Sequence, residues 1–274
     1  MAVYDKNGNV LNAIYSMNGD SLQTAYDVDG AVVYRREMSV MSFNVQWNSG
    51  LNADLEMQRV ILDKYNADII GLQEWTKLGT TKPTDMPLYS DYTYSYIGTQ
   101  TNKTAIVSKP VLENVESHIF TAQGNETKGY QTCFFEYGDK SIFWVNCHMF
   151  YDDLTIISQQ CTEIFNAVQN KDYFIITGDF NVKCKDISSE WYTRCMKQFI
   201  DAGYNSANCS AQHGFLDTWT ESKTTSGTWL CLDQIITSNN LEILEVIVDQ
   251  TKLEYLDGTN PIDHLPIIAR LKIN

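Results

Sequence analysis

The sequence predicts an α/β domain built on mixed β-sheets, with a small β-hairpin appendage at its N-terminus. Short apolar stretches with strand character outnumber stretches with helical spacing, and helical crossovers join only some of them. That pattern differs from the regular alternation of a doubly wound sheet and favours a mixed one. The first 37 residues follow another pattern, so we expect an appendage at residues 1–37 and the main domain at residues 38–274.

Two copies of a short, turn-centred pattern define the appendage. Residues 26–33 echo residues 4–11, and the copies contain Asp29-Gly30 and Asn7-Gly8, which are strong hairpin signals. We interpret them as two small hairpins. They resemble short repeats of phage-associated and surface-assembly proteins, which implies a role in attachment or oligomerisation.

The main domain opens with a crossover unit and then becomes rich in strands. A strand at residues 39–45, a helix at 52–65 and a strand at 68–74 form the crossover, and residues 83–96 predict a surface loop. The later elements are strands at 104–108, 133–137, 141–146 and 173–177, helices at 154–170 and 190–203, and strands at 232–237, 242–249 and 267–272.

Composition allows a sizeable core and limits the range of partners. The chain has 274 residues, of which 43% are apolar, and a net charge of −14. An acidic protein repels the nucleic-acid backbone at long range, which argues against tight non-specific DNA binding. A bound metal and a local basic rim can reverse that field inside a cleft, so a nuclease is not excluded.

Cysteine usage and the N-terminus bear on location. The seven cysteines are scattered without zinc-type spacing, which is typical of reduced thiols in a reducing compartment. The N-terminus lacks the basic and then apolar pattern of a secretory signal, and no apolar run is long enough to cross a bilayer. We expect a cytoplasmic protein, or one associated with an assembly such as a phage.

Polar side chains are concentrated where apolar strands end. Asn44 and Glu74 follow two strands of the crossover unit, His148 follows the third apolar run, and Asp179 follows the fourth. Buried polar groups are costly unless paired, and open α/β sheets place their sites at the carboxyl ends of strands. Together with Asp263-His264, these groups suit the hydrolysis of a phosphate ester with a divalent metal.

Seven short segments, in order along residues 38–274, resemble the endonuclease/exonuclease/phosphatase superfamily, which includes DNase I-like nucleases, abasic-site endonucleases, sphingomyelinases and inositol-phosphate 5-phosphatases. They are Ser42-Phe43-Asn44-Val45, Gly71-Leu72-Gln73-Glu74, Ala105-Ile106-Val107-Ser108-Lys109, Asn146-Cys147-His148, Gly178-Asp179-Phe180-Asn181, Leu232-Asp233-Gln234-Ile235 and Asp263-His264-Leu265-Pro266. The resemblance implies a DNase I-like four-layer sandwich, in which helices flank two packed mixed β-sheets, and makes residues 38–274 the catalytic domain.

The resemblance also implies a metal site. Glu74 would be the main ligand of Mg²⁺, with Asn44 and Asp263 beside it, and Mn²⁺ is the alternative ion. Mg²⁺ is a hard cation that takes oxygen ligands and keeps several waters.

Catalytic roles follow from the same resemblance. Asp179 would orient or deprotonate the attacking water, and Asn181 would hold the water or the phosphate. His264 would contact the phosphate oxygens, with Asp233 holding its ring in one tautomer. His148 would act on the phosphate or the leaving group.

The sequence departs from the family pattern at positions that bear on which substrate is bound. Cys231-Leu232 precede Asp233 where nuclease-like members often carry an Arg. Family members often have an Arg or Tyr before the strand that leads to the His, and Tyr130 or Gln131 stands there. We predict substrate contacts at Tyr130 and Asn146.

Three hypotheses of function follow. The leading one is a Mg²⁺-dependent phosphodiesterase in which activated water attacks phosphorus in line, and within that class a nuclease with nucleic acid as its partner. The second is a phosphatase or phospholipase-like esterase acting on a small-molecule or lipid phosphate, which the acidic balance favours. The third is a catalytically inactive binding module, against which the intact polar set argues.

Overall fold

The computed structural model describes the chain except for several loops and most of the N-terminus. The described residues are 3–4, 10–11, 24–26, 32–35, 37–45, 51–75, 81–101, 103–220, 229–251 and 264–274. None of the helices within these ranges is both long and apolar enough to span a membrane.

Near the N-terminus, four short strands pair into one antiparallel sheet. They are β1 (Val3–Tyr4), β2 (Val10–Leu11), β3 (Thr24–Tyr26) and β4 (Val32–Arg35), in the order β2-β1-β3-β4. The predicted turns Asn7-Gly8 and Asp29-Gly30 lie outside the described residues. That residues 1–37 form a separate appendage for attachment or oligomerisation stays a prediction.

The rest of the chain contains the remaining strands and the helices. The strands are β5 (Glu37–Asn44), β6 (Ile69–Gln73), β7 (Tyr94–Ile97), β8 (Ala105–Ser108), β9 (Leu112–Ile119), β10 (Gly129–Tyr137), β11 (Lys140–His148), β12 (Phe174–Cys184), β13 (Asn205–Ser206), β14 (Trp219–Thr220), β15 (Trp229–Thr237), β16 (Leu241–Val248) and β17 (Ile267–Ile273). The α-helices are α1 (Leu51–Tyr65), α2 (Leu154–Val168) and α3 (Lys197–Asp201), a π-helical turn, Tyr192–Met196, precedes α3, and two 3-10 turns, Pro83–Asp85 and Pro87–Tyr89, precede β7.

Two mixed sheets form the body of the fold. Sheet I has the order β16-β17-β5-β6-β8-β7, and sheet II has the order β13-β15-β12-β11-β10-β9 with β14 beside β15. Each sheet contains one parallel pair, β5 with β6 and β11 with β12, and a helix connects the strands of each pair. Parallel neighbours need such crossovers, and their carboxyl ends therefore lie at the same edge.

Three apolar clusters arrange these sheets into layers. One cluster, with Val40, Ile106, Trp144 and Ile235 among its members, combines side chains from both sheets and fills the space between them. A second packs sheet I against α1, and a third packs sheet II against α2 and α3. The predicted sandwich of two packed mixed sheets flanked by helices is confirmed.

Helix α2 shows how the sequence specifies one outer layer. Asp153 caps its N-terminus by accepting hydrogen bonds from the backbone N–H groups of Thr155 and Ile156. Its buried face carries Ile157, Cys161, Ile164 and Val168 at helical spacing, which turns one apolar stripe onto sheet II.

Two predicted features were wrong in part. Residues 83–96 are not wholly a surface loop, since β7 begins at Tyr94 and Tyr89 is buried. Strand β9 was missed because it is an edge strand with charged, exposed side chains such as Glu113 and Glu116. Such a strand lacks the apolar alternation on which the prediction rests.

A polar bridge crosses the apolar layer between the two sheets. The buried Asn146 side chain of β11 donates to the backbone oxygens of Leu72 and Ala105 in sheet I. Its Oδ1 atom accepts from Gln73 Nε2 at 2.8 Å and from Thr177 Oγ1 at 3.0 Å.

This bridge also accounts for a glycine in the strand that precedes Glu74. A Cβ atom at Gly71 would collide with the side chains of Thr177 and Asn146. Gly71 therefore permits the close approach of the two sheets at this point.

Candidate active site

The carboxyl ends of the parallel strand pairs meet at one edge of the sandwich. The side chain of Asn44, at the end of β5 in sheet I, donates to Asp179 Oδ2 of β12 in sheet II at 3.0 Å. Within sheet II, Asp179 stands opposite His148 of the neighbouring strand β11 and opposite Asp233 of the other neighbour, β15. The two sheets thus bring polar groups from several strands into one cluster.

Asp179 lies at the centre of this cluster and is buried. Its Oδ1 atom accepts a hydrogen bond from the backbone N–H of Asn181 at 2.9 Å. Its Oδ2 atom lies 3.4 Å from His264 Nε2 and 3.5 Å from His148 Nε2, in addition to its bond from Asn44.

Burial raises the pKa of the Asp179 carboxyl to about 7, while the nearby His264 opposes this effect. The negative charge of Asp233 raises the pKa further, and hydrogen bonds from Asn181 and Asn44 lower it. Asp179 therefore exchanges its proton near neutral pH, which is the property required of a general base.

His264 is held by a second buried carboxylate. Its Nδ1 atom lies 2.8 Å from Asp233 Oδ2, which leaves Nε2 directed at Asp179. The backbone N–H of the next residue, Leu265, donates to the Thr218 oxygen, which fixes the chain at this point. Asp179, Asp233 and His264 each offer a ligand atom within 4.8 Å of the others.

Glu74 supplies a carboxylate that reaches solvent. Its side chain is 29% exposed, and its Oε1 atom lies 3.4 Å from Asn44 Nδ2 and 3.8 Å from His148 Nε2. Glu74 has a positive φ of 59°, a conformation that is uncommon for residues other than glycine.

The residues on both sides of Glu74 are anchored. Gln73 binds Asn146 across the sheets, and the indole N–H of Trp75 donates to the Thr81 oxygen at 3.0 Å. These anchors hold the strained residue so that its carboxylate faces the cluster.

The donor groups fit a hard divalent cation. Glu74 provides a carboxylate with access to water, and Asn44 keeps that carboxylate in place by donating to it from Nδ2. Oxygen ligands and retained waters are what Mg²⁺ requires. Asp263, the third predicted ligand, lies outside the described residues.

Lys128 belongs to the cluster, although the sequence analysis did not select it. Its side chain is 2% exposed, and its Nζ atom lies 3.0 Å from His148 Nε2 and 3.4 Å from a Glu126 oxygen. The signal available in the sequence was a cationic residue directly before the strand that begins at Gly129. The family pattern pointed to Tyr130 or Gln131 instead.

The two predicted substrate contacts are not brought to the cluster. Tyr130 lies in the core cluster between sheet II and α2, and its ring stacks on His118 with centroids 4.7 Å apart. Burial raises the pKa of its hydroxyl to about 12. Asn146 is buried between the sheets, where its amide forms the polar bridge. Neither placement favours a contact with substrate.

Asn181 is brought beside Asp179 by an unusual backbone conformation. Its φ is 51°, which directs its N–H to the Asp179 carboxylate. Its side-chain amide donates to the Met149 oxygen at 3.1 Å. Asn tolerates the left-handed region better than most residues, which explains its use after the strand.

The structure is a sandwich of two mixed sheets that gathers carboxylates and imidazoles at its strand ends. Residues 41–255 match the model of the Endonuclease/Exonuclease/phosphatase family, and the chain belongs to that family. Members of this family are metal-dependent phosphoesterases. No curated protein matches the chain.

Solved structures share the fold at low sequence identity. A truncated TDP2 from Caenorhabditis elegans is 20% identical, with a TM-score of 0.66, over 86% of this chain and 97% of that one. An endonuclease/exonuclease/phosphatase from Bacteroides vulgatus is 14% identical, with a TM-score of 0.70, over 88% and 100%. D. rerio TDP2, complexed with a single-strand DNA product, is 14% identical, with a TM-score of 0.63, over 86% and 98%.

Proposed function

We propose that the protein is a Mg²⁺-dependent phosphodiesterase that hydrolyses single-stranded nucleic acid. The observation that carries this proposal is Asp179, a buried carboxyl group with a pKa near 7 that contacts Asn44 and His264 at the ends of two sheets. The D. rerio relative that was solved with a single-strand DNA product supports the substrate class.

Glu74 and Asn44 would hold the Mg²⁺ ion, and Mn²⁺ is the alternative. When bound there, the ion would supply charge neutralisation for the phosphate and stabilisation for the leaving oxygen. The chain itself contributes the positioning groups and the proton acceptor.

Asp179 takes a proton from the attacking water in this mechanism. Only its ionised form can do so, and its raised pKa makes that carboxylate a stronger base than an exposed aspartate. Asn181, whose backbone N–H binds the Asp179 carboxylate, orients the acceptor oxygen toward the water.

His264 stabilises the charge that develops on the phosphate oxygens. Asp233 accepts a hydrogen bond from Nδ1–H and keeps Nε2 directed into the site. On the other side of Asp179, Lys128 and His148 supply a cation and an imidazole for the phosphate or the departing oxygen. Lys128 places a positive charge at the site within a chain whose net charge is −14.

A phosphatase or phospholipase-like esterase is the second candidate, because the acidic balance of the chain favours a small or lipid phosphate over a long polyanion. One panel of substrates separates the two functions. The full chain, with Mg²⁺, is given single-stranded DNA, RNA, plasmid DNA, abasic DNA, sphingomyelin and inositol phosphates.

The controls for this panel are two aspartate variants. Asp179→Ala removes the proposed base, and Asp186→Ala removes an exposed aspartate on the loop after β12. We expect cleavage of single-stranded DNA or RNA that Asp179→Ala abolishes and Asp186→Ala preserves. Turnover of only a lipid or inositol phosphate would select the second candidate, and activity that survives Asp179→Ala would refute the mechanism.

A further inference from the structure

Two loops beside the active site are fastened to each other. One connects β9 to β10 at residues 120–128, and the other connects β11 to α2 at residues 149–153. Gln160 of α2 accepts a hydrogen bond from the backbone N–H of Phe150 at 2.8 Å and donates to the Ala122 oxygen at 2.7 Å. A Cβ atom at Gly124 would collide with the Phe150 ring. The loops therefore pack as one unit.

The first of these loops fixes Lys128. The Gln123 side chain accepts from the Lys128 backbone N–H at 2.9 Å and donates to the Lys128 oxygen at 3.0 Å. A second bond joins Gln123 Nε2 to the Phe120 oxygen. With its backbone held, Lys128 extends its ammonium group to His148.

The second loop presents an aromatic ring next to this cation. Tyr151 is 40% exposed, and its ring centroid lies 5.8 Å from Lys128 Nζ. The buried Phe150 ring, with a centroid 5.1 Å away, supports it. In the part of the chain that the structure describes, the large exposed apolar side chains are Val111, Ile119, Ile187 and Tyr151, and Tyr151 is the aromatic one.

We propose that Tyr151 is a stacking residue for an unpaired nucleobase next to the scissile phosphate. This inference deepens the proposed function and rests on it. Lys128 touches His148 of the active site and also lies against the Tyr151 ring, so a phosphate and a neighbouring base can occupy adjacent positions. Exposed aromatic rings beside cationic groups are the usual platform for single-stranded nucleic acid.

Two acidic residues, Asp152 and Asp153, lie near Tyr151 in the loop between β11 and α2, and they differ in how strongly they would repel a nucleic acid. Asp153 uses its carboxylate to cap α2, where the N-terminus of the helix favours a negative charge. Asp152 is exposed, so water and salt screen its charge. The Lys128 ammonium is nearly buried and is screened less.

A stacked base has two consequences for specificity. The base must be unpaired, so single strands are preferred over duplexes. Stacking is also tolerant of base identity, because every base has a π-face. We therefore expect cleavage with little sequence preference at that position.

The binding test uses the full chain in EDTA and short single-stranded oligonucleotides with one 2-aminopurine at successive positions. Stacking on Tyr151 should quench the 2-aminopurine fluorescence at one position with the wild type and with Tyr151→Phe. Tyr151→Ala should lose the quenching and weaken binding about tenfold. The control is Val111→Ala, an exposed residue beside the opposite end of β9. Absence of quenching with the wild type, or equal quenching with Tyr151→Ala, would overturn the inference.

A hydrolysis test separates this inference from the proposed function. With Mg²⁺, Tyr151→Ala should raise KM about tenfold on a normal oligonucleotide. The increase in KM should be less than about twofold when a tetrahydrofuran abasic unit replaces the nucleotide at the position where 2-aminopurine was quenched. That substrate has no base to stack on Tyr151. If the wild type cleaves no oligonucleotide, the proposed function and the inference both fail. If it cleaves both substrates and Tyr151→Ala behaves as the wild type, only the inference fails.

Discussion

The Nδ1 atom of His264 lies 2.8 Å from an oxygen of Asp233, which is fully buried on β15. The other ring nitrogen of His264 lies 3.4 Å from Asp179. The imidazole therefore stands between two carboxylates with different surroundings. Asp233 holds the ring, whereas Asp179 faces the place where water and phosphate would meet.

Replacing Asp233 with asparagine should lower kcat by about 10²- to 10⁴-fold without unfolding the protein. An amide can donate to Nδ1 and so stabilise the wrong tautomer of His264. Steady-state kinetics checks this effect, with Asp186→Asn as an exposed control. The double variant with His264→Gln should lose little more than either single variant, because the two residues act as a unit. If the losses in kcat of the two single variants multiply in the double variant, Asp233 and His264 act independently.

Asp179 should make the protein less stable as the pH rises. Its pKa is about 7 in the folded state and near the ordinary 3.8 in the unfolded state, so the folded state binds more protons between these values. As the pH rises from about 5 to 8, the wild type should therefore lose stability that the Asp179→Asn variant keeps. The difference in the free energy of unfolding, variant minus wild type, should become more positive over this range. Urea titrations in EDTA measure this difference. A difference that is constant with pH would show that the carboxyl group has an ordinary pKa.

Catalysis should have the opposite pH dependence. The carboxylate form of Asp179 is the proton acceptor, so kcat/KM should rise with pH as that group ionises, and its midpoint should lie at or below about 7 because a bound cation favours the carboxylate. A pH–rate profile at saturating Mg²⁺ gives the midpoint. Activity that falls through this range would assign the titration to an acid rather than a base.

Glu74→Gln should raise the Mg²⁺ concentration required for half-maximal activity by about tenfold or more. The substitution keeps the shape of the side chain and removes its charge. Metal titrations of the rate check this effect, and the rise of Tm with added Mg²⁺ gives a reading that does not depend on turnover. Glu113→Gln, an exposed glutamate on β9, is the matched control. An unchanged metal requirement would place the metal elsewhere.

The sequence could predict much of the polar cluster because most of its members end an apolar strand or stand in a short motif. Asn44, Asp179 and Asp233 come together since parallel and antiparallel neighbours align at one edge. Tyr130 lies away from this cluster because its partner opposite in β11 is Cys147, whose side chain faces α2. That register depends on tertiary pairing, which a local pattern does not contain.

The position of Lys128 in the cluster depends on the conformation of a loop rather than on the end of a strand. It lies in the loop before β10, and its long side chain reaches His148 only because Gln123 and Gln160 fix the surrounding loops. Loop conformation depends on such long-range contacts. Periodicity carries no information about them.

Asn146→Leu should lower the free energy of unfolding by about 2–4 kcal/mol and leave KM near the wild-type value. The buried amide satisfies the Leu72 and Ala105 oxygens, and it accepts from Gln73 and Thr177. Leucine leaves these groups without partners in an apolar layer, and each such loss is costly. Urea unfolding measures the change, and Asn166→Leu on the exposed face of α2 is the control. A raised KM with unchanged stability would contradict this structural role and favour the substrate contact that the sequence predicts at Asn146.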